Sequence, residues 1–267
     1  KRVGMKSLLT RCGFRKRSGI EVNSVLYCLT MWVWLKSNSV SLFARDSLRT
    51  FCAAGKDVLY EAMNREDWNW RALNLRVACK ALQQVVAPDS ATAFVLDDTI
   101  KIRSGKKMPG VSSHFDHTTA RHVMGQQVLT LGLSCAQGFV PIDSELFTGQ
   151  TNVQGLQTPF KDGRSIVAQR HRAAVNQSKP EMARAMIARA QRAGIDARYL
   201  LADAWFGTKP MIAMAEDALL TAIVRMKKNK MKYRHSLHMP DKVICQDMDL
   251  CALYQSAVRG QWEKVAG

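Results

Sequence analysis

A chain of 267 residues with 47% apolar and 23% charged side chains can bury a real core, as one large domain or as a medium α/β domain with a smaller companion. Its 39 Lys and Arg against 22 Asp and Glu leave a formal charge of +17, a surface that attracts polyanions. No stretch reaches the ~18 apolar residues of a membrane span, no signal peptide is recognised, and seven cysteines without a Cys-x-x-Cys pair argue against a disulfide framework and for a reducing cytosol.

The positive charge is clustered. Lys1, Arg2, Lys6, Arg11, Arg15, Lys16 and Arg17 precede any acid; Lys101, Arg103, Lys106 and Lys107 form a second group, Lys161, Arg164, Arg170 and Arg172 a third, and Arg225, Lys227, Lys228, Lys230, Lys232 and Arg234 a fourth. One such run is ordinarily a solvated face. Four together point to nucleic acid, with Arg15, Lys16, Arg17, Arg225, Lys227, Lys228 and Lys230 as candidate DNA contacts.

From residue 20 to about 86 apolar side chains recur three and four apart (Val22, Val25, Leu26, Leu29, Trp32, Val33; later Trp70, Leu73, Val77, Leu82, Val85, Val86), which predicts helices. Val22 to Leu35, bracketed by Glu21 and Lys36, reads as a buried helix too short to span a membrane. Residues 1–88 are thus expected to be a basic leader and a small all-helical DNA-binding domain. Trp32, Trp34, Trp68 and Trp70 fit its core or an interface.

After Pro88 the texture changes. Ala91 to Asp98 is a short run of strand formers ending in two acids, and Val123 to Leu133 and Gly138 to Phe147 read as two further strands. Three strands this close predict an antiparallel meander, with Asp143 and Glu145 on the third facing solvent. Gly149 to Gln177 reads as irregular. Ser178-Lys-Pro-Glu181 is a capping box that opens a helix running to Gly194. Ala197 to Asp203 is then a strand, Thr208 and Pro210 open a short helix, and Leu219 to Met226 is another strand, a succession that predicts a parallel portion. The expected core spans residues 89–230, and residues 231–267 read as the start of a β-rich insertion, incomplete within this chain. His235-x-x-His238 with Cys245 and Cys251 has zinc-ligand residue types at a spacing that fits no common finger.

Two strands therefore end in acids, Asp97 and Asp98 on the first and Asp203 on the fourth. Strand ends on one side of an open sheet let distant residues converge, and phosphodiester chemistry uses carboxylates to hold two divalent cations ~3.5–4 Å apart. Asp is equally common in turns and caps, so Asp98 with Thr99, and Asp203, also fit plain turn roles. His114, His117 and His122 could contact phosphate or lie in turns at the surface.

The stretches Val95-Leu-Asp-Asp-Thr99, Gly110-Val-Ser-Ser-His-Phe-Asp-His117, Gly125-Gln-Gln-Val128, Leu200-Leu-Ala-Asp-Ala-Trp-Phe-Gly207 and Arg225-Met-Lys-Lys-Asn-Lys230 resemble the DD-E insertion-sequence transposases of the type-four group over about residues 90–235. The resemblance implies an α/β, ribonuclease-H-like mixed sheet with flanking helices. It implies a first catalytic and metal-binding aspartate at Asp97, in an Asp-x-Thr setting, with Asp98 as the alternative because strand parity is not fixed by sequence. The second is Asp203, in an Asp-x-x-aromatic setting with Phe206. The family's third ligand is a glutamate in a Tyr-x-x-Arg-x-x-x-Glu helix; Arg259 and Glu263 reproduce part of that spacing, but Ser256 stands in the tyrosine position. Glu263 is thus a weak candidate, and the expectation is that the family's glutamate is not in this chain, which could then bind metal and DNA without catalysing. The resemblance further implies a two-metal site for Mg²⁺ or Mn²⁺, double-stranded DNA as partner (transposon ends and target), a homodimer in the active complex, a bacterial, nucleoid-associated setting in the cytoplasm, and nicking followed by strand transfer.

Overall fold

The computed structural model describes residues 4–87, 90–105, 108–226, 232–239 and 242–258. Six helices come first: α1 (Met5–Arg11), α2 (Val22–Trp34), α3 (Val40–Asp46), α4 (Leu48–Phe51), α5 (Lys56–Met63) and α6 (Trp70–Val85). Their starts are written in the sequence. The Ser39 side chain accepts from the Leu42 N–H ahead of α3, and Asn69 accepts from the Ala72 N–H ahead of α6, each satisfying a donor the helix leaves unpaired. Leu8, Leu9, Phe14, Val25, Cys28, Phe43, Leu48, Leu59 and Trp68 form the core of this region, with the Phe14 and Trp68 rings 4.9 Å apart. Helix α2 is buried along one face only. Val25 and Cys28 are inside, while Val33 and Trp34 at its end are 70% and 78% exposed, so the buried helix expected here is buried along one face.

The second region is built on a sheet of β1 (Ala93–Ile102), β2 (Ser112–Asp116), β3 (Arg121–Cys135), β4 (Gly138–Phe147), β5 (Tyr199–Ala202) and β6 (Thr221–Val224). β3 runs antiparallel to β1 on one side and to β2 and β4 on the other, and β5 and then β6 continue the sheet parallel to β1. Helices α7 (Ile166–Asn176) and α8 (Lys179–Arg192) lie between β4 and β5, and α9 (Lys209–Asp217) lies between β5 and β6. This is the ribonuclease-H-like mixed sheet with flanking helices, preceded by a helical region, that the resemblance implied. The capping box at Ser178 and Glu181 forms as expected, and Gly194, at φ +76°, ends α8 in a conformation that disfavours a side chain.

One face of the sheet carries Phe94, Leu96, Leu129, Leu131, Leu133, Ile142 and Leu200, packed on Met182, Met186 and Ile187 of α8, Met211 and Met214 of α9, and Ala78 and Leu82 of α6. Each fully buried large side chain of this set contributes ~1.5–3 kcal/mol relative to exposure. Because α6 places Leu73 in the helical core and Ala78 and Leu82 in the sheet core, it joins the two regions.

Several local expectations are corrected. β1 does not turn at Asp98 and Thr99 but continues to Ile102, held by β3 over its full length. The stretch expected to be irregular contains α7, started by the Ser165 side chain accepting from Ala168 N–H. Asp143 and Glu145 do not face solvent; they are 4% and 6% exposed, because a β-bulge between Leu131 and Gly132 lies beside them and three arginines close over them. Past β6, a hairpin of β7 (Tyr233–Met239) and β8 (Lys242–Met248) precedes α10 (Leu250–Val258). Lys106, Lys107, Lys227, Lys228, Lys230, Arg259 and Glu263 lie outside the described residues.

Candidate active site

The alternating burial along β1 sets the parity that sequence left open. Phe94 and Leu96 point into the core, so Asp98 shares their face and Asp97 and Thr99 take the other. β1 and β5 pair in parallel through Leu96 and Ala202, which makes Asp97 and Asp203 the next residue on each strand, stepping off neighbouring strands ~4.8 Å apart. Asp97, Asp98 and Asp203 all line one open cleft of about 620 Å³, together with His114, Phe115, Asp116, His117, Gln127, Lys179 and Trp205.

The acids of the cleft are not equivalent. Asp98 accepts from Lys179 Nζ at 2.6 Å and from Gln127 Nε2 at 2.7 Å. Asp116 closes the β2–β3 turn by accepting from Thr118 N–H and Thr119 Oγ1, bonds led by Thr119 that hold its carboxyl below the usual carboxylate range. Among the described residues, Asp97 accepts only the backbone N–H of Asp98, at 2.8 Å, and Asp203 only that of Trp205, also at 2.8 Å. Among the described residues no Lys or Arg pairs with either. The turn role expected of Asp203 is thus real, yet it occupies one oxygen and leaves the other open.

The turn after β5 is fixed by packing. Phe206 is buried in the sheet core, and a Cβ at Gly207 would lie 2.4 Å from the Arg225 carbonyl oxygen, so only glycine lets this turn lie against the end of β6. Arg225 is exposed beside it. His114, expected among surface groups, is 7% exposed; its Nε2 lies 2.8 Å from Ser112 Oγ, and burial, then the Lys179 charge, push its pKa down against smaller opposing effects of Asp98 and a Gly125 backbone bond. His117 and His122 flank the half-exposed Phe115 ring at 5.0 and 5.3 Å. Arg15, Lys16 and Arg17 are not brought to the acids; they line a separate cleft with Arg65 on the helical region.

Sequence reasoning missed Lys179, Gln127 and Trp205. The available signal was Lys179 itself, a cation in the first turn of a capped helix, where the helix field disfavours it. Two carboxylates with no cationic partner among the described residues are hard oxygen donors of the kind Mg²⁺ and Mn²⁺ take, so the donor chemistry fits the expected cations. Among the described residues no group of three or more His, Cys, Asp and Glu is arranged to hold a metal; His235 and His238 fall on β7, Cys245 on β8 and Cys251 in α10.

Among solved structures, the chain is similar to the Drosophila P element transposase strand transfer complex at 8% identity and a TM-score of 0.36, with 83% of this chain and 44% of that chain covered; this chain thus spans less than half of that one. None of the curated proteins matches. The sequence profile of the DDE superfamily endonucleases matches residues 23–243, from α2 through the sheet and into the hairpin beyond it. The chain belongs to the DDE superfamily endonuclease family.

Proposed function

We propose that the protein is a DDE-type DNA transposase that cleaves the ends of an insertion sequence and joins them to target DNA, with Asp97 and Asp203 as its metal-binding catalytic acids. The observation that carries this reading is the pair itself: two carboxylates one residue beyond the β1–β5 parallel ladder, lining one cleft, with no Lys or Arg partner among the described residues. Divalent cations bound there would activate the attacking oxygen and stabilise the leaving one. The residues of this chain do the rest. The β1–β5 ladder ends one residue before the two acids and so sets them side by side, the Trp205 N–H orients the Asp203 carboxylate, and Lys179 binds Asp98 on the core side. Arg225, at the rim beyond β6, suits a phosphate contact, as do Lys227, Lys228 and Lys230 after it. Arg15, Lys16 and Arg17 would grip a second stretch of double-stranded DNA, the helical region 1–88 acting as DNA-binding domain, 89–230 as catalytic core and 231–267 as part of an insertion. A homodimer would bring two cores to two transposon ends.

Incubation with DNA and Mn²⁺ separates this from its neighbours. Joined strand-transfer products support transposition; nicks alone support a nuclease acting by hydrolysis; metal-independent binding without nicks supports a DNA-binding fragment only. Nicking that survives Asp97→Asn and Asp203→Asn would remove both acids from the mechanism.

A further inference from the structure

Two adjacent aspartates sit in the middle of β1 on opposite faces of the strand, and their chemistry in water is identical. Lys179 meets one of them and not the other. It is the first residue of α8, where unpaired backbone N–H groups already carry partial positive charge and an ammonium is disfavoured. It is nonetheless 5% exposed, a burial that a lysine tolerates only when its charge is met. Three groups meet it: Asp98 Oδ2 at 2.6 Å, the Trp205 ring at 3.9 Å to its centroid and the Phe147 ring at 5.2 Å. Gln127 takes the other Asp98 oxygen, so both oxygens are occupied by groups from α8 and β3. Trp205, two residues past Asp203, is the shared wall between the ammonium and the turn that follows β5.

We propose that Lys179 is a positioning residue that withholds Asp98 from the divalent cation, leaving Asp97, which the β1–β5 pairing already places beside Asp203, as the ligand from β1. The inference rests on the metal-site reading above. A buried ammonium bound to one aspartate lowers the negative potential there and occupies the lone pairs a cation would need. Removing Lys179 subtracts a repelling charge and frees a carboxylate, and both changes draw a divalent cation in.

Mn²⁺ binding to the intact chain, followed by the loss of the free-ion electron paramagnetic resonance signal, tests this. Asp98→Asn is expected to bind within about threefold of wild type, because it removes no ligand, while Lys179→Met binds roughly 10-fold more tightly as the number of available charged ligands rises. Adding Asp98→Asn to Lys179→Met returns the affinity to the wild-type range, and Lys179→Arg, which keeps the charge, stays near wild type. A merely structural lysine would give no such reversal. Loss of Mn²⁺ binding in Asp98→Asn alone overturns the inference even if Lys179→Met fails to fold, and so does Lys179→Met binding no tighter than wild type. A wild-type chain that takes up no Mn²⁺, or one whose uptake survives Asp97→Asn and Asp203→Asn, overturns the metal site itself and this inference with it.

Discussion

The sheet carries two groups of acids that end in opposite states. On β4, Asp143 and Glu145 are roofed by Arg71 of α6, Arg170 of α7 and Arg189 of α8: Arg189 reaches Asp143 at 2.7 Å and Glu145 at 2.6 Å, Arg170 reaches Glu145 at 3.6 Å, and Arg71 donates to Glu145 as well. Three cations meet two carboxylates, all largely out of water, and burial drags the Arg71 pKa down despite Glu145. Midway along β1 and at the end of β5, one lysine meets one of three carboxylates among the described residues, and Asp97 and Asp203 keep open oxygens in a cleft. The functional group, a carboxylate, is the same in both places. A carboxylate whose lone pairs are filled by arginines cements helices to a strand; one held only by a backbone N–H retains the capacity to bind a cation.

That contrast can be broken from either side. The largest effect is expected at the open pair: Asp97→Asn and Asp203→Asn should each cut Mn²⁺-dependent DNA cleavage by a factor on the order of 10³ while leaving the urea midpoint of unfolding near wild type. At the filled pair the pattern inverts. Glu145→Ala strands three arginines over one carboxylate and should destabilise the fold by ~3–5 kcal/mol, read by urea denaturation, and a wild-type midpoint there would mean that the cluster is not a structural clamp. Away from both, Arg15→Ala should reduce the slope of log affinity for DNA against log salt by about 1, with unchanged cleavage chemistry. The smallest effect belongs to His114. Its folded pKa is depressed below the ordinary 6.5, so the unfolded chain takes up the proton first; stability present above 6.5 is lost as pH falls through 6.5 toward the folded value. His114→Gln should flatten the fall in thermal midpoint between pH 7 and 5.5, and an unchanged slope would assign that loss to other groups.

How much of this was legible in the sequence follows from where each signal lives. Local signals were readable: the Ser178 capping box, Gly194, β4 from Gly138 to Phe147 and the strand that ends at Asp203 all rest on residues within a few positions of one another. The parity of Asp97 and Asp98 was not, because it depends on which face α8 covers, a contact 81 residues away. Asp143 and Glu145 looked solvent-facing for the same reason: alternation with polar residues implies an exposed face unless distant arginines neutralise it, and Arg189 lies 46 residues beyond Asp143. Helix α7 was hidden by a preceding stretch rich in Gly, Pro and Thr, although Ser165 marked its start. Asp97 and Asp203 were picked out by resemblance; β1–β5 pairing supplies their physical reason for lying together.

The most direct test of the central claim is a crystal structure of the chain soaked in Mn²⁺, read by its anomalous signal. A peak is expected within coordination distance of both Asp97 and Asp203, with Asp98 still bound to Lys179. A peak on Asp98 in place of Asp97, or an occupied metal elsewhere with Asp97 and Asp203 left bare, would contradict it.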